Sequence, residues 1–478
     1  MTLVDLSLHP HWAVWCIAIP LLGGGWAVLV PRWGKPIALV TALLTLLVVA
    51  GALLQLVQQG VQRIEIGAWG APLGIQLQLD GPSMMMLLTT AIVGLPITLY
   101  AGDYFRSRQQ HIRFWPLWLL LWAAMNMLYL SADLFNLYVT LELISLTAVV
   151  LVALAGQYAV RAAIRYLLIN LLGSLCFLLA VALLYAAYGV LDIALLAERI
   201  QSTPLSRLAL ALMTVGLLLK SALFPFHIWL PPAHAGAPAP VSALLSALVV
   251  KTSFYLLVAL WLRLYAPLVT QGLMNLVGLL GMAAILWGSL QALRATRLKQ
   301  LVAYSTVAQL GYIGLALTLI DVAPWQPILI FISAHACAKA AMFMAAGNFQ
   351  RAAGHDRMAS LSAALRALPV SVFAFALAGI SLIGLPPSGG FVAKWLLLTA
   401  ALDSGRILIV LALLGSGLLT ALYVFRVLER AVRPGAQLQM VGKVSPLMEW
   451  SALALGLLAA ALGFAGMGMI HIIGESPV

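Results

Sequence analysis

Charged residues are scarce in this chain of 478 residues. Only 8% of the sequence is charged and 63% is hydrophobic, whereas a soluble domain has about 25% charged and about 45–50% apolar residues. Acidic residues number just 14. This balance excludes an ordinary soluble domain and predicts an all-α polytopic membrane protein, with residues 1–478 forming a single membrane domain.

Cysteine is also rare, and its spacing is not that of a cofactor site. Cys16, Cys176 and Cys337 are far apart and form no CxxC pair, which argues against iron–sulfur, zinc and c-type haem sites. The chain has no Walker A sequence and no GxGxxG after a strand, so nucleotide chemistry is not supported. We therefore expect no cofactor, no metal and no catalytic residue, although the chain could still be a subunit of a proton-pumping oxidoreductase.

Apolar stretches fill most of the sequence. A membrane-spanning helix requires about 20 largely apolar residues, and no basic segment that would mark a cleaved signal peptide precedes the first stretch. We expect about 14 transmembrane helices, near 11–30, 36–57, 81–101, 114–131, 133–155, 161–188, 205–229, 239–262, 270–293, 300–320, 326–347, 368–398, 404–427 and 447–471.

Arginine and lysine are distributed unevenly between alternate loops. Loops after odd-numbered helices hold 17 of these residues, counting Lys299, and four further lysines lie inside helices. The opposite loops hold only Arg63, Arg199, Arg207, Arg263 and Arg406. Because cytoplasmic loops are enriched in Lys and Arg, the pattern predicts a cell (inner) membrane protein with both termini outside the cytoplasm. The net charge of +12 is thus a topology signal, and we expect no nucleic-acid partner.

One segment departs from the helical pattern. Ile75, Leu77 and Leu79 alternate with polar residues after a stretch punctuated by Gly and Pro, which is typical of a hairpin strand. The loop charges place this short β-hairpin on the extracytoplasmic side.

Proline and glycine interrupt the expected helices 7 and 12. The first interruption lies in GLLLKSALFPFHIWLPPAH (216–234) and the second in GISLIGLPPSGGFVAKWLLL (379–398). Because the two are five helices apart, equivalent helices would run in opposite directions. This spacing predicts two inverted five-helix repeats, 114–262 and 263–430, with an ion or substrate site near the membrane midplane.

Six ionisable residues fall well inside the expected helices. They are Glu142, Lys220, Lys251, His335, Lys339 and Lys394. Four lysines at about 2.5–3.5 kcal/mol each would cost roughly 10–14 kcal/mol unless partners, internal water or proton loss relieved them. Lys220 is the candidate to neutralise Glu142, the one carboxylate near the middle of a helix. A snorkelling or purely structural role stays open for each residue alone, but the whole set favours a proton pathway.

Histidines accompany the lysines at two places. His335 and Lys339 are four residues apart and therefore share a helix face, which favours a relay. His227 and His234 follow the first interruption, where the freed backbone groups need water or neighbouring helices as partners. Support of the backbone and proton transfer both fit these two histidines, and metal binding lacks a third ligand.

The motifs resemble those of the proton-translocating antiporter-like subunits of respiratory complex I, membrane-bound hydrogenases and Mrp-type antiporters, most closely the Mrp D-type and hydrogenase-type subunits. The resemblance covers most of the chain and rests on DLFNLYVTLELI, LLLKSALFPFHIWLPPAHAGAPAPVSALLSALVVK, RLKQLVAYSTVAQLGYI, SAHACAKAAMF and GLPPSGGFVAK. It implies Glu142 and Lys220 as a coupling pair, Lys251 and His335 as a relay, and Lys394 as the terminal group.

The expected function is movement of H⁺ along these buried groups, as one subunit of a cation/proton antiporter or a hydrogenase-type respiratory complex. The expected partners are other membrane subunits, H⁺ and the lipid bilayer, with passage of Na⁺ left open. Three alternatives remain: a subunit of NADH:quinone oxidoreductase, an independent secondary transporter, and a scaffold subunit that has lost conduction.

Overall fold

The computed structural model describes residues 11–66, 70–71, 74–323, 325–433 and 441–474, with Tyr158 described by its backbone only. Both chain ends and part of the connection at 67–73 lie outside the described residues. The α-helices of the described part are Trp12–Leu29 (α1), Gly34–Gln59 (α2), Gly81–Tyr104 (α3), Arg108–Leu130 (α4), Leu134–Ala153 (α5), Gln157–Tyr188 (α6), Ile193–Arg199 (α7), Pro204–Ser221 (α8), Leu230–Gly236 (α9), Ala239–Leu244 (α10), Val250–Arg263 (α11), Gln271–Arg294 (α12), Leu298–Ala316 (α13), Gln326–Ala353 (α14), Ser362–Ala367 (α15), Pro369–Ile383 (α16), Gly389–Asp403 (α17), Ile407–Val432 (α18), Pro446–Ala461 (α19) and Gly466–Ile473 (α20).

The chain is a polytopic helical membrane protein. Within the described residues, 11 helical segments are long and apolar enough to cross a membrane, or 12 if α19 and α20, which meet at an 80° bend, count as one. That count leaves out α4, a helix of 23 residues with a polar first turn. It also leaves out α16 and α17, which have 15 residues each.

The membrane segments differ in how deeply they lie in the fold. Ala239–Arg263 and Gln326–Ala353 are 100% buried over their apolar windows, and Leu298–Leu319 is 94% buried. By contrast, Trp12–Leu29 is 33% buried and Ile407–Val432 is 39% buried. The three central segments are therefore shielded from lipid by their neighbours, so their polar side chains face protein.

The first interruption lies between α8 and α9. Helix α8 ends at Ser221, and Ala222 takes a left-handed conformation with φ of 55°, which costs a non-glycine residue about 1–2 kcal/mol. The chain then passes through the 3₁₀ turn Phe226–Trp229 into α9. Pro225 immediately precedes this turn, so the interruption lies where the proline spacing indicated.

The second interruption lies between α16 and α17. Gly384, with φ of 87°, ends α16, because a left-handed residue at this position favours glycine. Helix α17 begins after Ser388, whose hydroxyl accepts a hydrogen bond from the backbone N–H of Phe391 at 3.1 Å. A serine in this role satisfies one of the free N–H groups at a helix start.

Two strands form the only sheet in the described part of the chain. Gln62–Ile66 (β1) and Ile75–Leu79 (β2) pair antiparallel, with Gln62 opposite Leu79. Asp80, directly after β2, accepts a hydrogen bond from the backbone N–H of Ser83 and so caps α3. Asp80 also forms an ion pair with Arg263 at the end of α11, which ties the sheet to a central helix.

Candidate functional site

Glu142 on α5 and Lys220 on α8 form an ion pair inside the fold. Lys220 Nζ lies 3.3 Å from Glu142 Oε1 and donates a hydrogen bond to Ser145 Oγ at 2.8 Å. Ser174 on α6 donates its hydroxyl to the same carboxylate oxygen. The lysine side chain is 2% exposed and the glutamate side chain 21% exposed. The structure therefore brings together the two residues that the sequence paired, in a geometry that allows a proton to be shared or passed.

Two glycines let α6 and α8 approach closely enough to build this pair. A Cβ on Gly173 would lie 2.8 Å from the carbonyl O of Gly216, and a Cβ on Gly216 would lie 2.6 Å from the carbonyl O of Gly173. Small residues at such contacts are how membrane helices come into close packing. Because Ser174 and Lys220 lie near these glycines in sequence, the backbone contact sets their positions around the carboxylate.

The two histidines after the first interruption are buried apart from the ion pair. The rings of His227 and His234 each stack on a phenylalanine, with centroids 5.4 and 5.5 Å apart. His234 is 0% exposed, and neither of its ring nitrogens has a hydrogen-bond partner among the described residues. Its backbone carbonyl accepts a hydrogen bond from Ser242 Oγ at 2.7 Å, so this position also supports the broken backbone.

Lys251 on α11 and His335 on α14 lie in the two fully buried segments. Lys251 is 0% exposed and His335 is 1% exposed. In the described part of the chain, Lys251 Nζ and both ring nitrogens of His335 lack hydrogen-bond partners. His335 and Lys339 are four residues apart on α14 and therefore share a helix face. Buried polar groups without a protein partner are normally hydrogen-bonded to internal water.

One face of α13 leads from Lys339 toward Lys394, and its polar residues were absent from the expected site. Ser305, Gln309 and Tyr312 are four and three residues apart, so they share a helix face. Lys339 Nζ donates a hydrogen bond to Ser305 Oγ. Gln309 Nε2 lies 3.2 and 3.3 Å from two hydroxyls of α18. The helical spacing of polar residues in YSTVAQLGY is the sequence signal that identifies this face.

Lys394, in the second turn of α17, binds the end of α16. Its Nζ donates hydrogen bonds to the carbonyl O of Leu382 at 2.7 Å, the carbonyl O of Ile383 at 3.1 Å and the hydroxyl of Tyr312 at 3.0 Å. It also lies 4.3 Å from the centre of the Tyr312 ring. No carboxylate of the described residues lies within 4.0 Å of this Nζ. The lysine is therefore held by backbone dipoles and an aromatic ring.

Lys299 was expected in a loop, and this expectation is wrong. Helix α13 begins at Leu298, so Lys299 lies in its first turn, 2% exposed. Its Nζ donates a hydrogen bond to the carbonyl O of Ala237, between α9 and α10. The expectation failed because the helix starts two residues before the apolar stretch near 300–320, where hydropathy gives no signal. The interior therefore holds a buried lysine beyond those identified from sequence.

The chain resembles proteins of known family in sequence and fold. Residues 131–420 match the family described as NADH:quinone oxidoreductase/Mrp antiporter, TM. The chain is 36% identical over 439 residues to NADH-quinone oxidoreductase subunit N of Desulforudis audaxviator, covering 89% of this chain and 87% of the relative. It is 30% identical over 369 residues to the D-type subunit of the Na(+)/H(+) antiporter of Alkalihalophilus pseudofirmus, covering 76% and 74%.

A solved structure of the Mrp complex from Dietzia sp. DQ12-45-1b contains a chain with the same fold. The TM-score is 0.88 at 25% identity, over 98% of this chain and 97% of that chain. These matches confirm the family that the sequence motifs indicated. The chain belongs to the NADH:quinone oxidoreductase/Mrp antiporter transmembrane family.

Proposed function

We propose that this chain translocates protons as an antiporter-like subunit of a multisubunit membrane assembly. The observation that carries the proposal is the Glu142–Lys220 ion pair at 3.3 Å, buried at a helix interruption. An intramembrane ion pair is costly and is typical of proton and ion pathways. A carboxylate beside the lysine favours its charged form, and any change that separates the two favours release of the proton.

The proposed path continues from this pair through the centre of the fold. Lys251 and His335 act as the relay, and water links their unpartnered nitrogens. Lys339 passes the proton along the polar face of α13, and Lys394 is the terminal group. His227 and His234 are secondary members that support the interrupted backbone and extend the hydrated region.

The proposed topology has 14 crossings. Adding α4 and the pair α16–α17 to the 12 segments recognised by length and hydropathy gives this count, and the loop charges then place both termini and the β1–β2 hairpin outside the cytoplasm. Residues 114–262 and 263–430 form two inverted repeats, supported by the interruptions of α8–α9 and α16–α17. The host membrane is the inner cell membrane, and the chain contacts lipid along its peripheral helices.

The partners are proposed to be other membrane subunits, because the solved relative is a chain of an Mrp complex. An NADH:quinone oxidoreductase is the second candidate assembly, favoured by the 36% identity to subunit N. The two are separated by purifying the assembly in mild detergent. Flavin or iron–sulfur absorbance would identify the respiratory assembly, and its absence from the intact preparation would identify the antiporter.

The test of the proton path uses that purified assembly in vesicles. A preparation with flavin or iron–sulfur absorbance is driven by a reductant, and one without it by a sodium gradient. The pH gradient that forms is measured per assembled complex. Glu142→Gln and Lys220→Ala are expected to suppress the pH gradient while the subunits still copurify. Lys35→Ala is the matched control, because it removes the lysine of the peripheral pair Lys35–Asp103 at 3.1 Å. Undiminished gradients in both site variants would reject the coupling pair.

A further inference from the structure

Six cationic side chains line one cavity at the helix ends on a single side of the fold. The cavity has a volume of about 1060 Å³ and lies where α3 and α14 end and α6 and α13 begin. Its cations are Arg106, Arg161, Arg165, Arg297, Lys299 and Arg351. No acidic residue is among its lining residues in the described part of the chain. A cavity of this kind attracts an anion.

Carboxylates neutralise almost none of this charge. Arg297 pairs with Asp356 at 2.7 Å, but none of the other five cations has a carboxylate within 4.0 Å among the described residues. Arg351 donates to the carbonyl O atoms of Asp103 and Tyr104 at 3.0 and 2.9 Å. Such backbone contacts hold a guanidinium in place without cancelling its charge.

Arg161 and Arg165 are the two cations that remain available to a ligand. They are four residues apart on α6, so they share one helix face, and both are exposed. Neither donates a hydrogen bond to any described residue, whereas the buried Lys299 is held by the carbonyl O of Ala237 at the same cavity. Two guanidinium groups without a partner among the described residues line the same cavity as a fixed ammonium, and this set suits a phosphate, which arginine binds through paired N–H donors.

We propose that this cavity binds a phosphate-bearing anion, supplied by the headgroup of an anionic membrane lipid or by a soluble phosphate compound. Its volume is at the upper end of the roughly 300–1,000 Å³ typical of ligand pockets, so it accommodates more than a single phosphate ion. In the proposed topology, on which this step rests, the cavity lies on the cytoplasmic side, where basic pockets between membrane helices bind lipid headgroups. Arg161 and Arg165 are the recognition residues, and the site is separate from the Glu142–Lys220 pair.

The test titrates the purified membrane assembly, stripped of lipid in detergent, with phosphatidylglycerol, phosphatidylcholine and pyrophosphate, and counts bound molecules by native mass spectrometry. The double variant Arg161→Gln/Arg165→Gln removes the recognition residues. Arg108→Gln/Arg113→Gln is the matched control, because it removes two exposed arginines of α4 that do not line the cavity.

We expect phosphatidylglycerol to bind more tightly than phosphatidylcholine, and its affinity to fall about tenfold in the Arg161/Arg165 variant but not in the control. Competition by pyrophosphate with the same dependence on these arginines would support the proposal with a soluble ligand, whereas binding of the lipid alone would assign the site to a headgroup. Equal losses in both double variants would overturn the proposal. So would unchanged binding in the Arg161/Arg165 variant, or no preference for the anionic probes over phosphatidylcholine.

Discussion

Lys220 and Lys394 both lie beside a proline-rich interruption, but their Nζ atoms contact different groups. Lys220 contacts the carboxylate of Glu142 and the hydroxyl of Ser145, both on α5. Lys394 contacts two carbonyls of its own interruption, at the end of α16, and the side chain of Tyr312. One lysine is thus neutralised by an anion from another helix, and the other is solvated by dipoles.

The two lysines have different contacts because different groups donate to the backbone carbonyls left without helical partners at each interruption. At the first, the indole N–H of Trp229 donates to the carbonyl O of Leu219 at 3.0 Å, and the backbone N–H of Leu223 donates to that of Leu218 at 3.3 Å. At the second, backbone N–H groups of Gly384 and Leu385 donate to the carbonyl O of Ile380, but Lys394 itself donates to those of Leu382 and Ile383. Lys220 thus donates to no freed carbonyl at the first interruption, whereas Lys394 donates to two at the second, so we expect the second to depend more on its lysine.

The largest expected effect comes from breaking the ion pair. Glu142→Gln leaves the Lys220 side chain, which is 2% exposed, without its anion. Loss of one member of a buried pair costs about 3–5 kcal/mol. We expect about 3 kcal/mol, the low end of that range, because the glutamate is 21% exposed. The free energy of unfolding in detergent measures this cost. The double variant Glu142→Gln/Lys220→Met is expected to recover part of the loss, and simple additivity of the two single changes would contradict the pairing.

The second-largest effect is expected from a substitution that moves α6 and α8 apart at the first interruption and so tests how the region around Lys220 is built. Gly216→Ala places a Cβ 2.6 Å from the carbonyl O of Gly173, and overpacking of this kind costs about 1–3 kcal/mol. We expect lower thermal stability together with weaker proton translocation. Gly415→Ala is the control, because a Cβ there meets nothing within 4 Å. Equal loss in the two variants would show that helix separation is not the cause.

Removing Lys394 at the second interruption is expected to lower the free energy of unfolding by less than Glu142→Gln does. Lys394→Met leaves two backbone carbonyls without this donor, which costs roughly 1–3 kcal/mol, and we expect about 2 kcal/mol because the lysine is half-buried. Tyr312→Phe removes only one of the three hydrogen bonds and is expected to cost about 1 kcal/mol. Chemical denaturation measures both. If Lys394→Met lowered the free energy of unfolding by more than Glu142→Gln, the contrast between a lysine neutralised by an anion and one held by backbone dipoles would be wrong.

The smallest effect concerns Asp133, which caps the helix that carries Glu142. Burial, together with the nearby Asp192 carboxylate, raises the pKa of Asp133. The folded chain therefore binds more protons than the unfolded chain, and stability from this group falls as pH rises above the ordinary aspartate pKa of about 3.9. Asp133→Asn retains a capping oxygen, so we expect a gain within about 0.5 kcal/mol at neutral pH. A gain that persisted unchanged at low pH would exclude titration of Asp133 as its source.

Local signals in the sequence predicted the membrane segments, the interruptions and the Glu142–Lys220 pair. The length of an apolar stretch sets a membrane helix locally, and a proline interrupts a helix within a few residues of its own position. Because only one carboxylate was expected near the middle of a helix, a buried lysine had few possible partners. Serines gave no such signal. Ser174 Oγ also lies 3.0 Å from the carbonyl O of Asn170 in its own helix, the acceptor that serines in membrane helices commonly use, so donation of its one hydrogen to Glu142 depends on how α5 and α6 pack. The burial of Lys299 likewise depends on the chain between α9 and α10.

The arrangement of buried lysines has a consequence for sodium. Lys220, Lys251, Lys299 and Lys339 are each at most 3% exposed, and Glu142 is the single carboxylate that contacts any of them in the described part of the chain. Lysines that hold their protons along a passage form an electrostatic barrier to metal cations, which must carry their charge through as whole particles. A proton advances by exchange of covalent and hydrogen bonds between neighbouring groups, so no ion has to pass the lysines as a whole particle. We therefore expect that any Na⁺ crossing the assembly takes a route outside this chain's interior.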